Sequence, residues 1–251
     1  MKKKLLFNPK SRLADIIHAD YRLIPIIGRF GIEFGFGNKT IEEVCIEKEI
    51  NVWFALEIIN SFHDSNYFPK KSLQNFPAKL IIEYLSNTHD YYLKVKIPEI
   101  QEYIDKMERA VKPENYKNIT LLNGFFNEYK EELRLHLENE DLYVFPYILS
   151  IENALNQKII DDQLYQKILT NSIENYERNH EDAEVKLNDL KNLIIKFMPP
   201  VLCKELCQNL LIEIFRLESD LGIHTNIEDK VLIPKVKLLE KNLLEIRENK
   251  L

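Results

Sequence analysis

Two short segments of the chain repeat one frame, HLENEDLYVFP at residues 136–146 and HTNIEDKVLIP at residues 224–234. In both, a histidine is followed by a glutamate four residues later and by a proline ten residues later. Residues four apart lie one turn apart on the same helical face, so each frame presents an imidazole beside a carboxylate. Because proline ends or kinks a helix, we expect both pairs to lie near a helix C-terminus.

The composition of the chain predicts an all-α fold. Among its 251 residues, 45% are hydrophobic and only six are glycine, which favours helices over turn-rich sheets. The net charge of −6 argues against broad binding to a phosphate backbone. The opening MKKKLLFNPKSR lacks the apolar run of a signal peptide, and we expect no membrane span. Three cysteines without framework spacing favour a reducing, cytoplasmic setting.

The first part of the chain, residues 1–70, is predicted to form a small helical domain. Ser11 is the candidate N-cap of its first helix. Thr40 and Glu43 have the spacing of a capping box, in which the two side chains satisfy each other's backbone amides. Asn51 is placed to cap a third helix. Three helices of this kind suffice for a compact module.

The second part, residues 78–248, is predicted to form an antiparallel up-down four-helix bundle. Residues 63–77 contain two prolines among polar residues and form the most linker-like stretch. Pro98 is expected to kink the first bundle helix. The predicted helices cover about 78–111, 114–143, 163–197 and 201–229, and a short terminal helix follows.

The two histidine frames fall on the second and fourth of these helices, which run parallel in an up-down bundle. Both pairs can therefore lie at one level of the core. The first and third helices contribute one more histidine each at a comparable level. The resulting candidate ligands are His89, His136, Glu140, His180, His224 and Glu228.

Six imidazole and carboxylate ligands suit two metal ions. Iron is favoured, and manganese and zinc are the alternatives. If two histidines bind each ion and both glutamates bridge, an open position remains for a diatomic ligand such as O2 or NO. A single His-x3-Glu pair is common by chance, and His180 with Glu184 makes a third one. The prediction therefore depends on three features that both frames share: the His-x3-Glu spacing, the position on a predicted long helix and the proline ten residues after the histidine.

The segments THDYYLKVKIPEI, LHLENEDLYVFP, NHEDAE and IHTNIEDKVLIP resemble the hemerythrin-like (HHE) cation-binding domain. The two-domain layout resembles the di-iron family that repairs iron-sulfur clusters, known as repair of iron centres. That resemblance implies a hemerythrin-like di-iron bundle with the six ligands above. It also implies a role in nitrosative or oxidative stress. Family members place a Cys-Cys pair in an N-terminal glycine-rich loop, whereas the corresponding stretch IEFGFGNKT contains no cysteine.

The resemblance favours repair of iron-sulfur centres, with damaged iron-sulfur proteins as partners and a homodimer as one assembly. One alternative is a di-iron sensor or scavenger of oxygen or nitric oxide. Another is a metal-switched DNA-binding regulator, because TIEEVCIEKEINVWFALEIIN has a helix-turn-helix rhythm. Residues 1–70 contain ten Lys and Arg against nine Asp and Glu, so nucleic acid is not the expected partner.

Overall fold

The computed structural model describes residues 4–110, 112, 116–178, 183–198 and 204–248. Within these ranges the regular structure is helical and contains no β-strand, which confirms the all-α prediction. An isolated bridge pairs Arg12 with Thr40. The amides of Leu13 and Ile41 donate across it to Lys39 and Ser11. This short pairing joins the beginnings of the first and third helices.

Five helices form the N-terminal part: α1 Leu13–Ala19, α2 Ile24–Gly28, α3 Ile41–Glu47, α4 Val52–His63 and α5 Lys70–Gln74. The predicted capping box of Thr40 and Glu43 is confirmed, and Asn51 caps α4 as expected. The prediction for Ser11 is wrong by one residue. Its hydroxyl accepts from the amide of Asn8 and does not cap α1.

Three long helical segments each contain a π-helical turn. The first comprises α6 Ala78–Tyr91, π1 Tyr92–Lys96 and α7 Ile97–Ala110. The second comprises α8 Tyr116–Asn139, π2 Glu140–Val144 and α9 Phe145–Gln157. The helices α10 Asp162–Thr170, α11 Ile173–Arg178 and α12 Ala183–Phe197 follow. The last segment comprises α13 Lys204–Ile227, π3 Glu228–Leu232 and α14 Ile233–Glu248.

The predicted helix ends before Pro146 and Pro234 are wrong, because both helices continue through these residues. A proline ring collides with the carbonyl four residues earlier in a regular α-helix. Here the amide of Phe145 bonds to the carbonyl of Glu140, five residues back, and that of Ile233 bonds to Glu228 in the same way. The widened turn accommodates the proline, and the helix resumes.

Pro98 has the same setting, since the amide of Ile97 bonds five residues back to Tyr92. The prediction of one continuous third helix over 163–197 is wrong. The backbone of Asn171 leaves the helical region after α10. The amide of Ile173, at the start of α11, then donates to the buried carboxylate of Glu240 at 2.9 Å.

Two apolar clusters fill the interior of the described part of the chain. Helices α7 and α12 each pack against both α8 and α13, and these four helices surround one cluster. The other cluster joins α1–α5 with α6, α9 and α14, so side chains from both sides of residues 63–77 share it. The division into two domains near residue 70 stays a prediction. None of the described helices combines the length and apolarity needed to cross a bilayer.

Candidate metal centre

Four of the six predicted ligands come together in the interior: His89, Glu140, His224 and Glu228. One ligand atom of each lies within 4.8 Å of the others, and all four side chains are buried. Along their helices, these residues lie where the buried apolar neighbours change from one cluster to the other. The four side chains therefore form a polar layer between two apolar cores.

The nitrogen and oxygen atoms of this layer point at one another. The Nε2 atom of His89 lies 3.3 Å from Nε2 of His224 and 3.3 Å from Oε2 of Glu140. The Nε2 atom of His224 lies 3.1 Å from Oε1 of Glu228. Each Nε2 thus faces both a nitrogen and a carboxylate oxygen. Such convergence of imidazole and carboxylate donors can hold divalent first-row metals.

The local sequence explains how these side chains reach the layer. The buried face of α13 recurs at three- and four-residue intervals, with Leu217 and Leu221 followed by His224 on the same stripe. The glutamates Glu140 and Glu228 are the first residues of π2 and π3. Their carbonyls accept the five-residue hydrogen bonds that open each turn. The proline of each frame is thus accommodated by a change in backbone hydrogen bonding at the glutamate of the same frame.

The two remaining predicted ligands have different outcomes. His136 lies beside the layer, with Nε2 at 3.4 Å from Oε1 of Glu140 and a side chain 23% exposed. It borders a pocket of about 530 Å³ that is also lined by Tyr143, Lys167 and Tyr176. His180 lies outside the described residues.

A carboxylate that sequence reasoning missed orients His89. The Nδ1 atom of His89 lies 3.0 Å from Oδ2 of Asp141, whose Oδ1 accepts from the hydroxyl of Ser86 at 2.9 Å. A carboxylate on Nδ1 fixes the ring and leaves Nε2 for a metal. The sequence contains a signal for Asp141, because in each frame an aspartate directly follows the glutamate, at 140–141 and 228–229.

A tyrosine hydroxyl that sequence reasoning also missed contacts the layer from the pocket side. Tyr176 of α11 donates to Oε1 of Glu140. Burial raises the pKa of Tyr176, and the charges of Glu140 and Glu228 raise it further, so the phenol keeps its proton. It is therefore a fixed hydrogen-bond donor to this carboxylate.

The two facing imidazoles differ in proton affinity. Burial opposes the charged form of His89, but the hydrogen bond to Asp141 and the nearby carboxylates outweigh it and raise the pKa. Burial and the charge of His89 lower the pKa of His224 to about 3. In the metal-free chain, His89 is thus the first of the two to take a proton. His224 stays neutral and available as a ligand.

The chain is similar to a curated protein over most of its length. The chain is 22% identical over 216 residues to the iron-sulfur cluster repair protein ScdA of Staphylococcus haemolyticus. The similarity covers 84% of this chain and 90% of the relative. The resemblance to the iron-sulfur cluster repair family is thereby confirmed. No family model matches the chain, and the assignment to the HHE domain stays a prediction.

The donor set in the polar layer fits the metal that this resemblance implies. Two carboxylates and two imidazoles converge in a buried layer between the apolar clusters, and carboxylate charge in such a setting needs compensation. A divalent cation between them offsets that charge. The ligand types match iron and also manganese or zinc. Among the described residues, the group of potential metal ligands contains no cysteine. Cys45 is buried, and burial raises the pKa of its thiol to about 11.

Proposed function

We propose that the chain is a di-iron protein that helps to repair iron-sulfur centres under nitrosative or oxidative stress. The observation that carries the proposal is the buried convergence of His89, Glu140, His224 and Glu228. A relative named as an iron-sulfur cluster repair protein supports the biological role. Damaged iron-sulfur proteins are then the macromolecular partners, in the cytoplasm.

The proposed centre holds two ions in a hemerythrin-like four-helix arrangement. His136 adds a ligand beside Glu140, and His180, outside the described residues, supplies the sixth. The four histidines, together with Glu140 and Glu228, would hold the two ions. Bound iron supplies a redox-active site for a diatomic molecule such as O2 or NO. Manganese or zinc would bind to the same six residues.

The surrounding side chains perform separate tasks toward that centre. Asp141 holds His89 in the tautomer that exposes Nε2, at 3.0 Å from Nδ1. Tyr176 donates to Glu140 and fixes one of its oxygens on the pocket side. The apolar clusters above and below exclude water from the layer, which strengthens every charge interaction inside it.

Metal content and iron transfer test this function. The chain is purified without oxygen, reconstituted with ferrous iron and measured for bound metal and iron spectroscopy. We expect about two ions per chain, because the six proposed ligands suit two coordination spheres. Zero or one ion would contradict the dinuclear site. Release of iron to an apo iron-sulfur protein is the result expected for repair.

The pocket beside His136 favours a second candidate function, a sensor or scavenger of O2 or NO. This pocket of about 530 Å³ brings a partly exposed histidine within reach of small molecules. Tight, reversible binding of O2 or NO without iron transfer would favour this alternative. A homodimer is compatible with either function and is tested by sedimentation of the iron-loaded chain.

A further inference from the structure

A buried arginine from the N-terminal part reaches both helices that carry the facing imidazoles. Arg29 follows α2 directly, and its side chain is only 2% exposed. Its guanidinium forms a bidentate pair with Asp220 of α13, at 2.9 Å and 2.5 Å. Its main-chain carbonyl accepts from Nδ2 of Asn87 in α6 at 3.0 Å. One residue thus connects α6 and α13 from outside both of them.

These two attachment points lie close to the ligands in sequence and in space. Asn87 precedes His89 by two residues on α6, and Asp220 precedes His224 by one helical turn on α13. The two imidazoles face each other with their Nε2 atoms 3.3 Å apart. A contact that fixes the distance between Asn87 and Asp220 therefore also fixes the gap between the imidazoles.

A tyrosine continues this contact to the imidazole itself. The hydroxyl of Tyr92 donates to Oδ1 of Asp220 at 2.7 Å. The ring of Tyr92 is fully buried and packs edge-on against His224, with centroids 5.7 Å apart and planes at 68°. Asp220 thus receives Arg29 on one side and Tyr92 on the other. Loss of the arginine would leave a carboxylate short of its main partner beside the ring that orients His224.

The setting of the guanidinium shows that Arg29 is enclosed. The guanidinium carbon Cζ of Arg29 lies 4.5 Å from the ring centroid of Tyr91 and 5.8 Å from that of Phe62. Planar guanidinium groups stack on aromatic rings and pair bidentately with carboxylates, and lysine reproduces neither geometry. A buried pair of this kind contributes specific geometry, and removal of one partner leaves an uncompensated charge.

We propose that Arg29 clamps α6 to α13 and so sets how tightly the metal centre holds its ions, which makes it a positioning residue supplied by the N-terminal part. The proposal rests on the function proposed above, because it concerns the affinity of that same site. It assigns residues 1–70 a role in the centre that needs no thiol from them.

The test compares Arg29→Met with a matched variant in a second buried ion pair. Lys96→Met breaks the pair of Lys96 with Glu213, whose atoms lie 2.6 Å apart and which also joins the first long segment to α13. Both variants remove a buried cation that pairs with a carboxylate of α13, but Lys96 is not attached to the helical turns that carry His89 and His224. Ferrous iron alone is the probe, and its dissociation constant is measured in the full chain by competition with a chelator.

We expect Arg29→Met to raise the dissociation constant about tenfold or more, as changes behind metal ligands commonly do. Lys96→Met should stay within about twofold of the wild type, while both variants lower the melting temperature of the metal-free chain. Equal affinities for Arg29→Met and the wild type would overturn the clamp. So would equal weakening in both variants, since that would show a general loss of stability.

Two further variants keep the test decisive if Arg29→Met does not fold. Asn87→Ala removes only the hydrogen bond to the carbonyl, and Tyr92→Phe removes only the hydroxyl on Asp220. Each should weaken iron binding severalfold, and unchanged affinity in both would overturn the proposal. A wild-type chain that binds no iron would overturn the proposed function as well, whereas unchanged binding in the variants would overturn the clamp alone.

Discussion

The two His-x3-Glu frames share one spacing but have different surroundings. The side chain of His136 is 23% exposed beside a pocket, whereas that of His224 is 3% exposed and enclosed by Tyr92 and His89. Both frames begin a π turn at the glutamate and accommodate a proline two residues after it ends. The local sequence thus sets the backbone, and the elements packed over it decide which half of the centre meets solvent.

This difference suggests two separate tasks within the proposed centre. The half around His224 is fixed by buried aromatic rings and by the ion pair of Arg29 with Asp220. The half around His136 borders a pocket. Tyr176 also lines this pocket, and its hydroxyl donates to Glu140. We expect changes in the enclosed half to act on affinity and geometry, and changes in the open half to act on exchange.

Removal of a carboxylate charge from the proposed centre should have the largest effect. Glu140→Gln keeps the shape of the side chain but loses the charge that holds the metal, so we expect metal occupancy to fall to near zero. The metal-dependent rise in stability, about 2.7 kcal/mol at a hundredfold excess over the dissociation constant, should vanish. The metal-free variant should stay folded or gain slightly, because a buried carboxylate is removed. Thermal unfolding with and without ferrous iron measures both effects.

The matched control is Glu138→Gln, two residues earlier on α8. This glutamate is half-exposed and pairs with Arg134, so its neutralisation should leave metal binding unchanged. If Glu138→Gln removes the metal and Glu140→Gln retains it, the proposed role of Glu140 as a ligand is wrong. Glu228→Gln should reproduce the loss in the enclosed half.

Loss of the orienting carboxylate should have the next largest effect. Asp141→Asn keeps a hydrogen-bonding group near Nδ1 of His89 but removes the negative charge that fixes its tautomer. We expect metal affinity to fall about 10- to 100-fold, as is typical for partners of ligating histidines. Titration of the apo chain with ferrous iron measures it. Asp90→Asn is the control, because Asp90 is exposed and pairs with Lys94. Equal affinity in Asp141→Asn and wild type would contradict the role of Asp141.

Four residues of the candidate metal centre could be predicted to lie close together because part of their spacing is local. A histidine and a glutamate four residues apart share a helical face in any fold, so the pairing of His224 with Glu228 needed no tertiary information. The helix ends predicted before Pro146 and Pro234 are wrong because the prediction assumes that proline ends a helix, whereas here each helix continues through it. The apolar residues Tyr147, Ile148 and Ile151 continue the helical period beyond Pro146, and they could have signalled the π turn.

The side chains that support the centre could not be predicted, because their contacts depend on packing between distant segments. Arg29 meets Asp220 across 191 residues of chain, and Tyr176 meets Glu140 across 36. Nothing in the local pattern around Arg29 distinguishes it from a surface arginine. Only the approach of α2 to α13 makes its burial and its pairing possible. Local periodicity therefore predicts ligands far better than it predicts the residues that hold them.

Substitutions in the open half of the proposed centre should have smaller effects, chiefly on the rate at which iron is released. Tyr176→Phe removes the hydroxyl that donates to Glu140 and leaves the ring in the pocket wall. A single hydrogen bond contributes about 1 kcal/mol net, so we expect release of iron to a chelator to accelerate about fivefold. Tyr143→Phe is the control, because Tyr143 lines the same pocket with a largely exposed side chain. Equal release rates for both variants would contradict the contact of Tyr176 with the bound centre.

The last expected effect is the pH dependence of metal binding near neutrality, which requires no substitution. A proton on His89 competes with the metal, and its pKa is raised above the ordinary value by Asp141 and the nearby carboxylates. Affinity should therefore be constant at pH well above that pKa, and it should be about halved where pH equals it. His224 should not compete in this range, since its pKa is lowered to about 3. Chelator competition between pH 6 and 8, about the ordinary range of histidine, measures the curve. Because Asp141 raises the pKa of His89, Asp141→Asn should move the fall in affinity to lower pH. A shift to higher pH, or no shift, would show that another group takes up the competing proton.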